Sequence, residues 1–213
     1  MRKFTTIILL WSTFSLFSMQ LSAQNADIDL LRDLNGTPSS TLRHYSTFIS
    51  NTTQYVVIGV PLVMGTMALI GKNDDLLKNT LYVGVSIGVS AGIAYTLKYA
   101  VNRKRPYITY PTLNVDPALY ESSSSFPSSH TSVAFATATA LSLKYPKWYV
   151  IAPTYFWACS VGYSRLNLGV HYPSDVLAGA LIGSGSAYVT CLVNNWFWKK
   201  NQNKKLIGLQ AYK

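Results

Sequence analysis

Charge of either sign is scarce in this 213-residue chain: 8 acidic and 18 basic residues make up 12% of it, against 49% apolar residues. The apolar stretches are laced with Gly, Ser and Thr, a mix common where transmembrane helices pack closely on one another. Cysteine is scarcer still. Cys159 and Cys191 both fall in apolar segments and read as small buried hydrophobes, which leaves no disulfide framework and no thiolate metal site. There are three histidines, and no carboxylate or histidine cluster has metal-ligand spacing, so no metal and no cofactor is expected. The net charge of +10 lacks the basic, aromatic-interleaved surface motif of a nucleic-acid binder. At this length one domain carries everything.

The N-terminus has the parts of a secretory signal: Arg2 and Lys3, an apolar run from Ile7 to Met19, then Leu21-Ser22-Ala23. Residues 1–23 are therefore expected to be a signal peptide, or else an uncleaved first transmembrane helix. Both readings put Gln24 outside. Residues 24–53 are polar, with Ile28, Leu30, Leu31 and Leu34 at helical spacing, and predict a periplasmic amphipathic helix on the membrane or on a helical bundle. His44 follows as a structural or surface residue.

Five apolar segments near bilayer-crossing length come next: Gln54 to Gly71, Asn79 to Tyr99, Ser128 to Leu143, Trp148 to Tyr163 and Ser174 to Trp198. The expected fold is all-α, a polytopic membrane bundle of about five transmembrane helices over 54–198, with a basic cytoplasmic tail at 199–213. With Gln24 outside, loops 72–78 and 144–147 and the tail face the cytoplasm. They hold Lys72, Lys78, Lys144, Lys147, Lys199, Lys200, Lys204 and Lys205, as the positive-inside rule requires. The same threading puts 100–127 and 164–173 outside.

Those two loops and the helix start beside them hold three clusters. In Lys98-Tyr-Ala-Val-Asn-Arg-Lys-Arg105-Pro106, Lys98 and Arg105 are seven apart and would share a helical face. Two fixed cations there suit a phosphate, although snorkelling anchors for head groups would look the same. In Phe126-Pro127-Ser128-Ser129-His130-Thr131, Pro127 fits the first helical position, which leaves the amides of Ser128, Ser129 and His130 free for an anion. Caps and an interfacial histidine are the plainer alternative. In Ser164-Arg165-Leu-Asn-Leu-Gly-Val-His171-Tyr-Pro-Ser-Asp175, the carboxylate lies four residues from the imidazole and can hold its far nitrogen free as a nucleophile. A structural His-Asp pair is the alternative. All three clusters fall on one side of a threading fixed by lysines elsewhere.

These residues resemble the type-2 phosphatidic acid phosphatase superfamily, which includes bacterial class A acid phosphatases and vanadium haloperoxidases. Its pattern, K-x6-R-P, then P-S-G-H, then S-R-x5-H-x3-D, reads here as Lys98 to Pro106, Pro127 to His130 and Ser164 to Asp175, with Ser129 in place of Gly. The resemblance implies that Lys98, Arg105 and Arg165 bind phosphate with Ser128 and the Ser129 amide. His130 would be the general acid, and His171 with Asp175 the nucleophilic pair. It implies hydrolysis of a terminal lipid phosphate at the periplasmic face of a bacterial inner membrane, through a phosphohistidine. Undecaprenyl diphosphate, lipid A, phosphatidylglycerol phosphate and phosphatidic acid all qualify as substrate. The alternatives are a soluble periplasmic acid phosphatase and a non-catalytic anion-binding membrane protein. Membrane lipid is the one partner expected.

Overall fold

The computed structural model describes residues 26–36 and 39–210, with side chains as far as 197; the signal or anchor expected over 1–23 lies outside the described residues. Every regular element described is a helix. A short α1 (26–35) precedes α2 (Ser40–Ile70), α3 (Asp74–Val101), a single turn α4 (Pro106–Thr109) and a 3-10 turn (Pro117–Leu119). Then come α5 (Ser129–Lys144), α6 (Trp148–Asn167) and α7 (Pro173–Gln210). The starts of α2 and α3 are set by short polar side chains: Ser39 and Asn73 accept the amides of Leu42 and Leu76. Asp74 and Asp75 add negative charge at the positive end of the α3 dipole. Asn102 ends α3 in the left-handed region, at φ 46°, which Asn tolerates better than most residues.

Of the five spans expected, α2, α3 and α7 are long and apolar enough to cross a bilayer. The 16 residues of α5 reach only about 24 Å, less than a hydrocarbon core of ~30 Å. That helix is instead enclosed by the others, and Ala134, Ala136, Ala138 and Ala140 are fully buried. α6 has 20 residues and an outward apolar face that includes Phe156. Two boundaries differ from expectation. α2 begins inside the segment assigned to a periplasmic helix, and α7 runs past Trp198 to Gln210.

The bundle sorts its residues as a bilayer demands. Ile70, Phe156 and Leu181 point outward at 80%, 71% and 67% exposure, while Ser86, Ser90 and Ser132 are fully buried. Such broad apolar exposure is that of a membrane bundle and excludes the soluble alternative. Cys159 belongs to the outward set and is exposed, and Cys191 is half-buried, so neither is the buried hydrophobe expected. Inside, hydroxyls bond between helices: Ser90 with Ser132 at 2.7 Å, Tyr82 to the Ala187 carbonyl at 2.9 Å.

α1 lies on the loops at one end of the bundle, with Ile28 and Leu31 buried against Tyr172 and beside Tyr110 and Leu113; Leu30 points out and Leu34 is half-buried. The Asn35 side chain fixes it there, donating to the carbonyls of Asn114 and Asn167 at 3.2 and 3.0 Å. His44 is exposed, with Nδ1 2.7 Å from the Ser40 carbonyl.

The hub is α5, which packs on α7, α6, α3 and α2. Its contact with α7 is backbone on backbone because Gly179 and Gly183, one turn apart, face it. A Cβ at Gly183 would lie 2.1 Å from the Ser132 carbonyl oxygen, and one at Gly179 would lie 2.7 Å from that of Ser128. Gly183→Ala is therefore expected to destabilise the protein by about 1–3 kcal/mol through overpacking. Gly185→Ala, where a Cβ meets nothing within 4 Å, should be neutral or mildly stabilising. Thermal unfolding of both variants in detergent checks the contrast.

Candidate functional site

The shared helical face expected for Lys98 and Arg105 does not form, because α3 stops at Val101 and Arg105 is the extended residue before α4. The two cations meet by another route. Lys98 Nζ donates to the Ser124 carbonyl, and Arg105 Nε donates to the Ser123 carbonyl at 2.8 Å. Arg105 is 1% exposed. Its Nη1 donates to the Val170 carbonyl at 3.1 Å and lies 3.4 Å from His171 Nε2.

At the head of α5, Ser128 is the N-cap and Pro127 precedes it, so Pro127 is outside the helix and not at its first position. The amide of Ser128 is not free: it donates to the Asp175 carbonyl at 3.1 Å. Its hydroxyl accepts the Thr131 amide and pairs with Thr131 Oγ1 at 2.9 Å. That leaves the amides of Ser129 and His130, the first two helical positions, which have no carbonyl within the helix to bond. Both residues are half-buried. The His130 ring stands close enough to Arg165, Glu121, His171 and Arg105 to feel their charges.

His171 lies in the five-residue connection between α6 and α7 and is 1% exposed. Its Nδ1 is 3.5 Å from Asp175 Oδ2, longer than a normal hydrogen bond, and has no other partner. The carboxylate is held elsewhere: Oδ2 accepts Ser125 Oγ at 2.5 Å and the Tyr172 amide at 2.9 Å, and Oδ1 accepts Arg103 Nη1 at 2.8 Å. Burial first, then the guanidinium groups of Arg165 and Arg105, push the imidazole down to about 4 against the pull of Asp175. His171 is therefore neutral over the physiological range, with Nε2 toward Arg105.

Three residues that the sequence reading passed over complete the arrangement. Arg103 stacks 3.8 Å over the Tyr172 ring and bridges Asp175 to Asp27 of α1, with Nη2 2.8 Å from Asp27 Oδ2. Asp27 also accepts the amide and hydroxyl of Ser174, at 2.8 and 2.5 Å. Glu121 joins the two buried arginines, with Oε2 2.6 Å from Arg105 Nη2 and Oε1 2.6 Å from Arg165 Nη2. Arg165, 4% exposed, gives its Nη1 to Ser50 Oγ at 2.7 Å. Burial alone would raise the Glu121 carboxyl, but Arg165 and Arg105 outweigh it and hold it at about 2. A signal existed for two of the three: Glu121 is the chain's single glutamate, and Arg103 sits inside the Lys98–Pro106 run.

Comparison with known proteins covers the site from Lys98 to Asp175. A family model described as the PAP2 superfamily matches residues 79–201, more than half of the chain. An undecaprenyl-diphosphatase of Sulfolobus acidocaldarius is 29% identical over 175 residues, 79% of each chain. A lipid A 1-phosphatase of Porphyromonas gingivalis is 30% identical over 171 residues, 79% of this chain but only 35% of that longer protein. Among solved structures, the crystal structure of Aquifex aeolicus LpxE superposes with a TM-score of 0.66 at 27% identity, over 78% of this chain and 94% of that one. A transmembrane PAP2-type phosphatidylglycerolphosphate phosphatase from Bacillus subtilis shares the fold, with a TM-score of 0.67 at 24% identity over 82% and 87% of the two chains.

Arg103→Ala would strip the cationic partner from Asp175, which is fully buried, and from Asp27, which is nearly so. Since the arginine itself is a quarter exposed, the expected loss of stability is about 2–4 kcal/mol, below the full cost of breaking a sealed pair. Asp27→Asn, which keeps an acceptor for Ser174, should lose less. Chemical unfolding in detergent ranks the two.

Proposed function

The chain belongs to the PAP2 superfamily, and on that premise we propose that it is an integral membrane phosphatase acting on a terminal phosphate of a lipid by way of a phosphohistidine. One observation supports the reading above the others. The neutral Nε2 of His171 is set 3.4 Å from a guanidinium group of Arg105, and that group shares its ligand with Arg165. A nucleophile beside a paired cationic seat is what phosphoryl transfer needs and what anion binding alone does not.

In the proposed reaction the phosphoryl oxygens take the guanidinium groups of Arg105 and Arg165, the amides at the head of α5 and the Lys98 ammonium. His171 Nε2 attacks phosphorus in line, forming the N–P bond as the bond to the departing oxygen breaks. His130, which burial first and then Arg165 push down to about 3, takes up a proton as the anionic phosphate arrives and gives it to that oxygen. Asp175, 3.5 Å from Nδ1 in the structure, closes on the proton of that nitrogen as positive charge builds on the ring. Water then attacks phosphorus, His130 accepts its proton, and the N–P bond breaks to release inorganic phosphate. The Ser128 hydroxyl and amide act indirectly here, by fixing the start of α5.

The substrate class is a lipid phosphate or diphosphate, as the names of the relatives suggest. A recess of about 460 Å³ lined by Lys98, Tyr99, Asn102 and Ser122 to Ser124 opens at the C-terminal end of α3 and suits a head group. The loop lysines support a bacterial inner membrane location with this end of the bundle toward the periplasm.

Purified protein in micelles should release inorganic phosphate from at least one of undecaprenyl diphosphate, lipid A, phosphatidylglycerol phosphate and phosphatidic acid. His171→Ala should release none while remaining folded; turnover near the wild-type rate would refute the covalent route.

The pH profile provides a second check. His171 attacks only when neutral, which holds above its depressed value of about 4. Activity should therefore persist as pH falls through the ordinary histidine range near 6.5 and be lost only as pH approaches 4. The measurement is kcat/KM between pH 3.5 and 8, with the substrate's own titration followed alongside. An acid limb between 6 and 7 that belongs to the enzyme would contradict the buried, neutral imidazole.

A further inference from the structure

Arg105 and Arg165 are the most deeply buried cations near His171, and each already holds an anion. It is the same anion. One oxygen of Glu121 accepts from Arg105 Nη2 and the other from Arg165 Nη2, both at 2.6 Å. A phosphoryl group offers planar guanidinium groups the same thing, several oxygens on one central atom. We propose that the Glu121 carboxylate is an internal competitor that occupies the seat of the substrate's phosphoryl group and must withdraw for substrate to bind. The proposal rests on the phosphatase reading of this site.

The surroundings fit an exchange and not a permanent support. The arginines are fixed by other bonds that a departing carboxylate leaves intact: Arg105 to the carbonyls of Ser123 and Val170, Arg165 to Ser50. Glu121 is the exposed member, at 35% for its side chain, and it sits in the connection between the 3-10 turn and α5. Its backbone is held on both sides by one hydroxyl: Tyr107 Oη donates to the Glu121 carbonyl at 3.1 Å and accepts the Glu121 amide at 2.9 Å. Tyr107 in turn stacks on Tyr120, ring centroids 4.3 Å apart. Exchanging a carboxylate for a phosphate keeps two sealed guanidinium groups neutralised throughout, whereas a seat without an anion would leave both uncompensated. A plug of this kind lowers apparent affinity by the fraction of molecules in which the seat is open.

The test is the affinity of the full-length protein in detergent for inorganic phosphate, by calorimetry, in wild type, Glu121→Gln and Tyr107→Phe. Glu121→Gln keeps the shape and removes the competing charge, and should lower the phosphate Kd about tenfold or more. Tyr107→Phe keeps both charges and loosens the seat, and should tighten binding several-fold; it decides the matter if Glu121→Gln fails to fold. Unchanged or weaker binding in the folded variant overturns the proposal, because a fixed support for the arginines would weaken phosphate binding when lost. Lipid hydrolysis by wild type is measured in parallel. A chain that hydrolyses none of the lipids defeats the phosphatase reading whatever the affinities, and a hydrolase whose variants bind phosphate no better defeats the plug alone.

Discussion

The distance between α5 and α7 governs the rest of the site. Two positions without a Cβ let the helices meet backbone to backbone, and the first turn of α7 is thereby laid across the head of α5. The hydrogen bond from the Ser128 amide to the Asp175 carbonyl follows from that approach. So does the position of the Asp175 carboxylate, on the same residue, next to His171. The geometry at one end of the bundle is therefore set from its middle, where a single methyl group would separate Asp175, the neighbour of His171, from the first amides of α5.

Charge at this end is arranged in closed pairs. Three arginines, Arg103, Arg105 and Arg165, are matched by three carboxylates, Asp27, Glu121 and Asp175, with Arg103 spanning two of them and Glu121 spanning two arginines. In a low-dielectric setting such groups persist only when compensated. The scarcity of acidic residues in the chain makes the allocation telling, since three of eight are spent here. The two bridges differ in character. Arg103 ties α1 to the first turn of α7, whereas Glu121 is borne on an irregular segment with its own side chain partly in solvent.

Much of this was legible in the sequence because bilayer thickness sets the length of apolar runs and loop lysines set their direction. The all-helical membrane fold followed from those two facts, and the residues of the three clusters do converge at one end of the bundle. What stayed hidden was tertiary. Nothing local reveals that α3 ends at Asn102 and returns Arg105 by a turn, or that the Ser128 amide is taken by a carbonyl from another helix. Arg103 and Asp27 are 76 residues apart, and Glu121 lies 44 from Arg165; no periodicity connects such partners. The early start of α2 was masked by its polar first turns, which lie over the site-end loops where water can reach them.

The docking of α1 bears on how the protein is made. Asp27 emerges from the ribosome early, yet Ser174, whose amide and hydroxyl it accepts, lies 147 residues later. The turn carrying His171 is consequently pinned only after the last helix has entered the membrane and come to rest on α5. Without α7 in place, Asp27 lacks the Ser174 groups that it accepts, and the turn carrying His171 lacks that tie.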